Sequence, residues 1–501
     1  METVYLDNAA TTRVQPETAD FVRFFMTEGY FNIGASYPPA SALAARVADA
    51  RKFIAESMGA RADELYFTGG ATEANNLILR GAIRAKNKTL IVTDGEHASV
   101  YNTAQTLKSA YTVKFAPLKR DGRVDADKLL ALTDENTALV SVIHVNNETG
   151  AVNDIAALCR AVKAKNPACL FHSDGVQAFA KLPINVKDAG VDFYTVSGHK
   201  AGAPKGIAAL YMKKGVHLNP LITGGGQENG VRAGTENVPG IMGFYRALRD
   251  NAECTMHNAE WNGHFSLRLP VKDCPSKENS PTKKEKSVED FLSGNAELSP
   301  QLKDNAQCAM RNAQLSDNAE CAMHNAQIKD QSELLNSQFS ILNSKTATVD
   351  CGLCTVHCEK SELLNSQFSI LNSKTATVDC GLCTVDCKAD KLKQLLRNSG
   401  LPLKFNGGEP SAQSPYITSV SFVGLRAETL SNLCAERGVI IGLGSACAAS
   451  KEGNRVLAAM GLTRPEIDGN IRISFCAGTT DGEIERAAAV IIDCARKLLN
   501  A

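Results

Sequence analysis

"CLFHSDGVQAFAKLPINVKDAGVDFYTVSGHK", residues 169–200, contains two β-rich apolar runs, "CLFHSDG" and "FYTVSG", joined by a stretch of helical character. Each run is apolar on both faces and stops at small polar residues. Strands of that kind are buried on both faces, and helical connections make them parallel. The same alternation extends in both directions, from Leu65 to Met212, through "ELYFTG", "TLIVTDG", "ALVSVIHV" and "GIAALYM". The expected fold is α/β, a large domain with a mainly parallel sheet covered by helices. Ligands bind such sheets beyond the carboxyl ends of the strands, where the loops read "GGATEANN", "DGEHAS", "NNETG", "SDGVQ" and "SGHK".

The 501 residues are 44% hydrophobic and 22% charged, an ordinary globular composition with room for two or three domains. Lys+Arg and Asp+Glu number 54 each, so no net field draws the chain to nucleic acid or to an anionic membrane. A small neutral or zwitterionic substrate fits better. The start, "METVYLDNAATTRV", has no basic region followed by an apolar stretch, and no window approaches the roughly 18 apolar residues of a membrane span. The expectation is a cytoplasmic protein whose sixteen cysteines are mostly thiols.

After Asp250 the texture changes. Residues 251–388 are rich in Asn, Ser and Cys, with "DNAECTMHNAE", "DNAQCAMRNAQ" and "DNAECAMHNAQ" as variants of one unit. A longer unit at 332–358 recurs at 361–387 with His357 replaced by Asp386. Two copies are too few for a solenoid, and near-identity points to duplication. The copies "CGLCTVHC" and "CGLCTVDC" have spacing that suits zinc or an iron–sulfur cluster, but duplication of one segment accounts for them, and no metal is expected. From Lys388 globular texture returns: "KADKLKQLLRNSG" reads as a helix closed by Gly400, followed by "YITSVSFVG", "GVIIGLG", "NIRISFC" and a closing helical stretch. The expected organisation is an N-terminal segment, 1–15, joining the small domain; a large domain, 16–250; a poorly ordered repetitive insert, 251–388; and a small α/β domain, 389–501.

Lys200 ends a strand in a glycine-bracketed loop, where a lysine can form a Schiff base with a carbonyl cofactor. Asp174, 26 residues earlier, offers the carboxylate that a pyridine nitrogen needs, and "FTGGATEANN" puts Ala71 and Thr72 at a helix start suited to phosphate. Cys447, in "GVIIGLGSACAAS", stands among small residues that suit a mobile thiol.

"YLDNAATT", "GATEANN", "HVNNETG", "SGHKAGAPKG", "GGGQENGVRAGTEN" and "GSAC" occur in one order along the chain. With these motifs the chain resembles the cysteine desulfurases, pyridoxal-phosphate enzymes of the class V aminotransferase group with the type I fold, from Tyr5 to about Arg249 and from about Lys388 to Leu499. The resemblance implies that Lys200 is the Schiff-base lysine and Asp174 the partner of the pyridine nitrogen. Gln177 and Asn147 would lie near the phenolic oxygen, His97 on the ring face, and Ala71, Thr72, Ser197 and His199 around the phosphate. Thr235 would reach the phosphate of the other subunit, which implies a homodimer. Arg472 would pair with the carboxylate of L-cysteine, near Asn147. Lys200 would move the α-proton, and the Cys447 thiolate would attack the substrate sulfur, taking it as a persulfide for an acceptor protein and leaving alanine. Sulfur would then pass to iron–sulfur clusters or to thiolated cofactors or tRNA. Tyr37 stands where the family commonly has histidine, and "FCAGTT" lacks an arginine often found after Arg472. A selenocysteine lyase, another class V enzyme or an inactive homologue disabled by the insert are the alternatives.

Overall fold

In the computed structural model, which describes residues 3–82, 88–259, 346–350, 355–359, 381–443 and 455–500, the alternation read from the sequence becomes a seven-stranded sheet. The chain begins with β1 (Val4–Leu6), α1 (Pro16–Thr27) and α2 (Pro38–Glu56). Proline starts both helices, where its fixed φ and missing N–H do no harm. There follow β2 (Leu65–Thr68), α3 (Ala71–Gly81), β3 (Thr89–Thr93), α4 (Ala98–Leu107), β4 (Thr112–Ala116), α5 (Ala126–Leu132) and β5 (Thr137–Ser141). After these come α6 (Ile155–Lys165), β6 (Leu170–Asp174), α7 (Val186–Ala189), β7 (Phe193–Ser197), β8 (Ala208–Met212) and α8 (Val238–Ala259).

The strand order is β2-β8-β7-β6-β5-β3-β4. Strand β8 runs antiparallel to both neighbours and the other pairings are parallel. Strands β3, β5, β7 and β8 are buried at every position, which is why they read as unbroken apolar runs. Edge strand β4 is half-exposed and carries Lys114, so its sequence lacks that signature. One core, including Phe171, Tyr194 and Phe244, lies on one face of the sheet, and another, with Leu77, Leu90 and Phe193, on the opposite face.

Beyond α8 the described elements are β9 (Thr346–Asp350), β10 (Thr355–Glu359), α9 (Gly381–Arg397), β11 (Leu403–Asn406), β12 (Ile417–Phe422), α10 (Ala427–Glu436) and β13 (Val439–Ile441). The chain ends with α11 (Arg455–Ala459), α12 (Arg464–Asp468), β14 (Asn470–Ser474) and α13 (Asp481–Leu499). Strands β11, β12 and β14 form an antiparallel sheet in that order. A third core joins it to α9, α10 and α13 through Leu392, Leu430, Ile471 and Ile491. Strand β1 pairs in parallel with β13, Val4 opposite Val439, so the first residues of the chain join the C-terminal part.

Two compact units emerge, 1–258 with 379–501, and 259–378. In the second, β9 and β10 form an antiparallel ladder. Helix α8 runs on to Ala259 and α9 starts at Gly381, so both ends of the stretch expected to be poorly ordered are helical. The duplicated unit takes two conformations: "TVHC" at 355–358 lies in β10, whereas "TVDC" at 384–387 lies in α9. Local propensity is too weak a force to fix either. Cys351 and Cys354, and the helical spacing of Leu335, Phe339 and Leu342, lie outside the described residues. Among the described residues no helix is long and apolar enough to cross a membrane.

Candidate active site

Where β6, β7 and the turn before α3 end, a cavity of about 1270 Å³ opens. Asp174, the last residue of β6 and 3% exposed, lines it. Its carboxylate accepts from Asn75 Nδ2 at 2.8 Å and from the Val176 amide at 3.0 Å, contacts that fix its orientation in the cavity wall. Gly175 follows because nothing larger fits: a Cβ there would lie 1.9 Å from Tyr194 Cζ. The Tyr194 hydroxyl in turn lies 2.8 Å from His144 Nδ1.

One strand over, β7 ends at Ser197 and a single 3₁₀ turn carries Lys200 into the same space. Its Nζ donates to the Ala9 and Ala10 carbonyls, both at 2.6 Å. Burial, reinforced by the charge of Arg472, brings this amine down to about 8, although Asp7 and Asp174 pull the other way. Burial likewise holds His199 at about 4, with Lys200, Lys205 and Lys181 adding repulsion; its Nδ1 lies 3.1 Å from Thr11 Oγ1.

Helix α3 begins at the cavity wall. Its N-cap is Gly70, which brings no side-chain acceptor, so the first-turn amides at Ala71 and Thr72 are not capped from within and face an open volume. Such a helix end binds phosphate through backbone N–H groups and the axial dipole. Glu73 tightens the turn by accepting from the Gly69 amide at 3.0 Å and pairing with Arg232 at 2.8 Å.

His97 caps the next helix: its Nδ1 accepts from the Ser99 amide at 3.1 Å. That contact assigns the ring proton to Nε2 and favours the neutral ring. Desolvation by the surrounding protein pushes the imidazole below its ordinary range, opposed by Asp174 and aided by Lys200.

From β14 comes Arg472, 4% exposed, with Nη2 2.7 Å from Asp7 Oδ1 and Nη1 donating to the Asn147 carbonyl at 2.9 Å. Its buried Nε has no hydrogen-bond partner among the described residues. A buried guanidinium donor left free is a place for an acceptor from outside the chain.

The cavity thus brings together Ala71, Thr72, His97, Asn147, Asp174, Gln177, Ser197, His199, Lys200 and Arg472, all singled out in the sequence. Thr235 is elsewhere, exposed in a separate groove with Phe25, Tyr30 and Phe31. Cys447 lies outside the described residues, but Leu443 and Arg455, which flank its stretch, both line the cavity. Sequence reasoning gave no role to Asp7, Glu96 or Arg455. Burial raises Glu96 to about 8, and the Arg455 guanidinium lies 3.7 Å over the Tyr101 ring while bonding the Asp94 and Glu96 carbonyls. No local motif signals these contacts, because each joins distant segments. A lysine with a lowered pKa, a buried carboxylate, an uncapped helix start and a free arginine donor form a donor set that fits pyridoxal phosphate and an amino-acid carboxylate.

The family described as Aminotransferase class-V matches residues 4–265. A cysteine desulfurase of Trichormus azollae is 39% identical over 294 residues, which are 54% of this chain and 73% of that one. Cysteine desulfurase IscS of Dictyoglomus turgidum is 39% identical over 249 residues, 49% of this chain and 63% of the relative. Among solved structures, a NifS-like protein superposes with a TM-score of 0.69 at 26% identity, covering 99% of this chain and 100% of its own. The apo cysteine desulfurase from Thermococcus onnurineus NA1 shares the fold, with a TM-score of 0.66 at 16% identity.

Proposed function

The chain belongs to the aminotransferase class-V family, as a pyridoxal-phosphate-dependent cysteine desulfurase that mobilises sulfur, and from that premise we propose which residues do the work. The observation that carries the assignment is the convergence in one cavity of Lys200, Asp174 and the uncapped start of α3. Lys200 joins the cofactor and Asp174 holds a proton at its ring nitrogen. The amides of Ala71 and Thr72, with Ser197 and His199, receive its phosphate; Gln177 and Asn147 serve its phenolic oxygen, and the neutral His97 ring lies against its face. When bound, pyridoxal phosphate supplies an electron sink that acidifies the substrate α-carbon.

Arg472 takes the carboxylate of L-cysteine, to which its unpartnered Nε adds a donor. With its amine near 8, Lys200 is neutral in about a tenth of molecules at pH 7, enough to accept the α-proton and return it. The Cys447 thiolate attacks the substrate sulfur. The S–S bond forms as the C–S bond breaks, the electron pair goes to carbon, and a proton there completes alanine. The position of Leu443 and Arg455 on the cavity wall supports Cys447 in this role. The reading includes a cytoplasmic homodimer, in which Thr235 serves the phosphate across the subunit boundary, and an acceptor protein for the persulfide sulfur.

Two substitutions test it. Lys200→Ala loses the visible band of bound cofactor and all alanine production. Cys447→Ser keeps the band and its change on adding cysteine, but releases alanine orders of magnitude more slowly and carries no persulfide by mass spectrometry. A persulfide found on Cys434 or Cys476, with normal turnover in Cys447→Ser, overturns the assignment.

A further inference from the structure

We propose that Lys181 is a positioning residue for the cofactor pocket: by donating to Gln177 Oε1 it sets the Gln177 amide so that Nε2 faces the Ala9 carbonyl, the acceptor shared with Lys200. The inference rests on reading Lys200 as the cofactor lysine.

Gln177 is 3% exposed and lines the cavity. Its two amide ends are nearly equal in shape, so the partners decide which end faces where. On one side Lys181 Nζ lies 2.9 Å from Oε1. On the other, Nε2 donates to the Ala9 carbonyl at 2.8 Å, the oxygen that also accepts from Lys200 at 2.6 Å. A carbonyl oxygen can only accept, and a lysine donates whether charged or neutral. Two partners of fixed polarity leave one orientation, with the donor end toward Lys200.

The backbone is shaped for this contact. Ala180 has φ of 59°, a left-handed conformation that a residue with a Cβ rarely adopts. The turn is closed by the amides of Lys181 and Leu182, which donate to the Ala178 carbonyl at 3.0 and 2.8 Å. The charged and titratable groups facing Lys181 are Lys200, Arg472, the Cys476 thiol and the His199 imidazole. Burial and the two cations hold the amine at about 7, with Cys476 opposing them. A lysine kept among cations, in a strained turn, is costly for the fold and is accounted for by the amide it orients.

The test uses the full-length, cofactor-loaded protein and follows the visible absorbance band against pH. Lys181→Met removes the donor that pins Oε1, so the Gln177 amide can swing aside and leave the Ala9 carbonyl to Lys200 alone. An acceptor no longer shared eases protonation at the Lys200 nitrogen, so the midpoint rises by about half a pH unit or more. Lys181→Arg stays close to wild type. In a Gln177→Ala background Lys181→Met adds little, because the group through which it acts is gone. An unshifted Lys181→Met overturns the proposal, and so does a full shift that persists in Gln177→Ala, since Lys181 would then act by charge alone. If Lys181→Met does not fold, Lys181→Gln, which keeps a donor, takes its place: a midpoint near wild type is expected, and the same full shift with or without Gln177 overturns the inference. Lys200→Ala runs beside them. Retention of the band there refutes the site reading, whereas an unshifted Lys181→Met with the band lost in Lys200→Ala refutes only the role of Lys181.

Discussion

Replacing Gly175 by alanine puts a methyl group into the Tyr194 ring. The added Cβ would lie 1.9 Å from Cζ, 2.2 Å from Cε1 and 2.3 Å from the hydroxyl oxygen, against the roughly 3.5–4.0 Å of an ordinary carbon contact. The ring is fully buried and cannot swing into solvent. It must shift by on the order of 1.5 Å, which costs about 1–3 kcal/mol as overpacking. The shift also pulls the hydroxyl from His144 Nδ1, 2.8 Å away, and an unsatisfied buried polar group costs about 1–3 kcal/mol more. A total near 4 kcal/mol lowers the melting temperature by on the order of 10 °C. Circular dichroism melts and urea midpoints measure this directly. Because Asp174 precedes Gly175, pyridoxal-phosphate affinity should fall too. In a Tyr194→Ala background the same substitution should cost less than about 1 kcal/mol, since the obstruction is gone. A variant melting within a degree or two of wild type would show that the packing argument is wrong.

Capture of pyridoxal phosphate by the cofactor-stripped protein needs the neutral Lys200 amine, so its rate should climb with pH and level off above about 8; stopped-flow absorbance reads it, and a climb continuing to pH 10 contradicts the lowered pKa. Arg472→Lys loses the planar fork and should raise KM for cysteine about ten- to hundredfold while the cofactor band stays, as expected for a charged hydrogen bond; an unchanged KM removes Arg472 from the substrate. His172 lies 2.9 Å from Ser141 Oγ and 3.2 Å from Thr195 Oγ1, and burial lowers it to about 3. Its folded value is below its unfolded value near 6.5, so its contribution is complete above pH 6.5 and is lost as pH falls toward 3. The stability gap between wild type and His172→Gln should narrow below pH 6.5 in urea titrations; a constant gap refutes the assignment.

The parts of the site that the sequence made legible are those at strand ends. Asp174 and Lys200 stand where buried apolar runs stop, and the parallel sheet brings those ends side by side. Ala71 and Thr72 were readable from the glycine turn before a helix. Asp7, Lys181 and Arg455 carried no such mark. The Asp7–Arg472 pair joins residues 465 positions apart, and no periodicity encodes it. Edge strand β4 escaped because half-exposure leaves it without an apolar run. The duplicated unit illustrates the limit from the other side, since "TVHC" and "TVDC" differ by one residue yet occupy strand β10 and helix α9. There tertiary context outweighs composition.

The attachment of the first residues to the last strand gives the pocket a history during synthesis. At about 5–20 residues per second, Asp7 waits on the order of half a minute to a minute and a half before Arg472 is made. The stretch 259–378 accounts for on the order of ten seconds of that delay. Asp174, the α3 helix start, Lys200 and its two acceptor carbonyls have all left the ribosome long before. The half of the pocket proposed to hold the cofactor can therefore be complete on a nascent chain that does not yet possess Arg472.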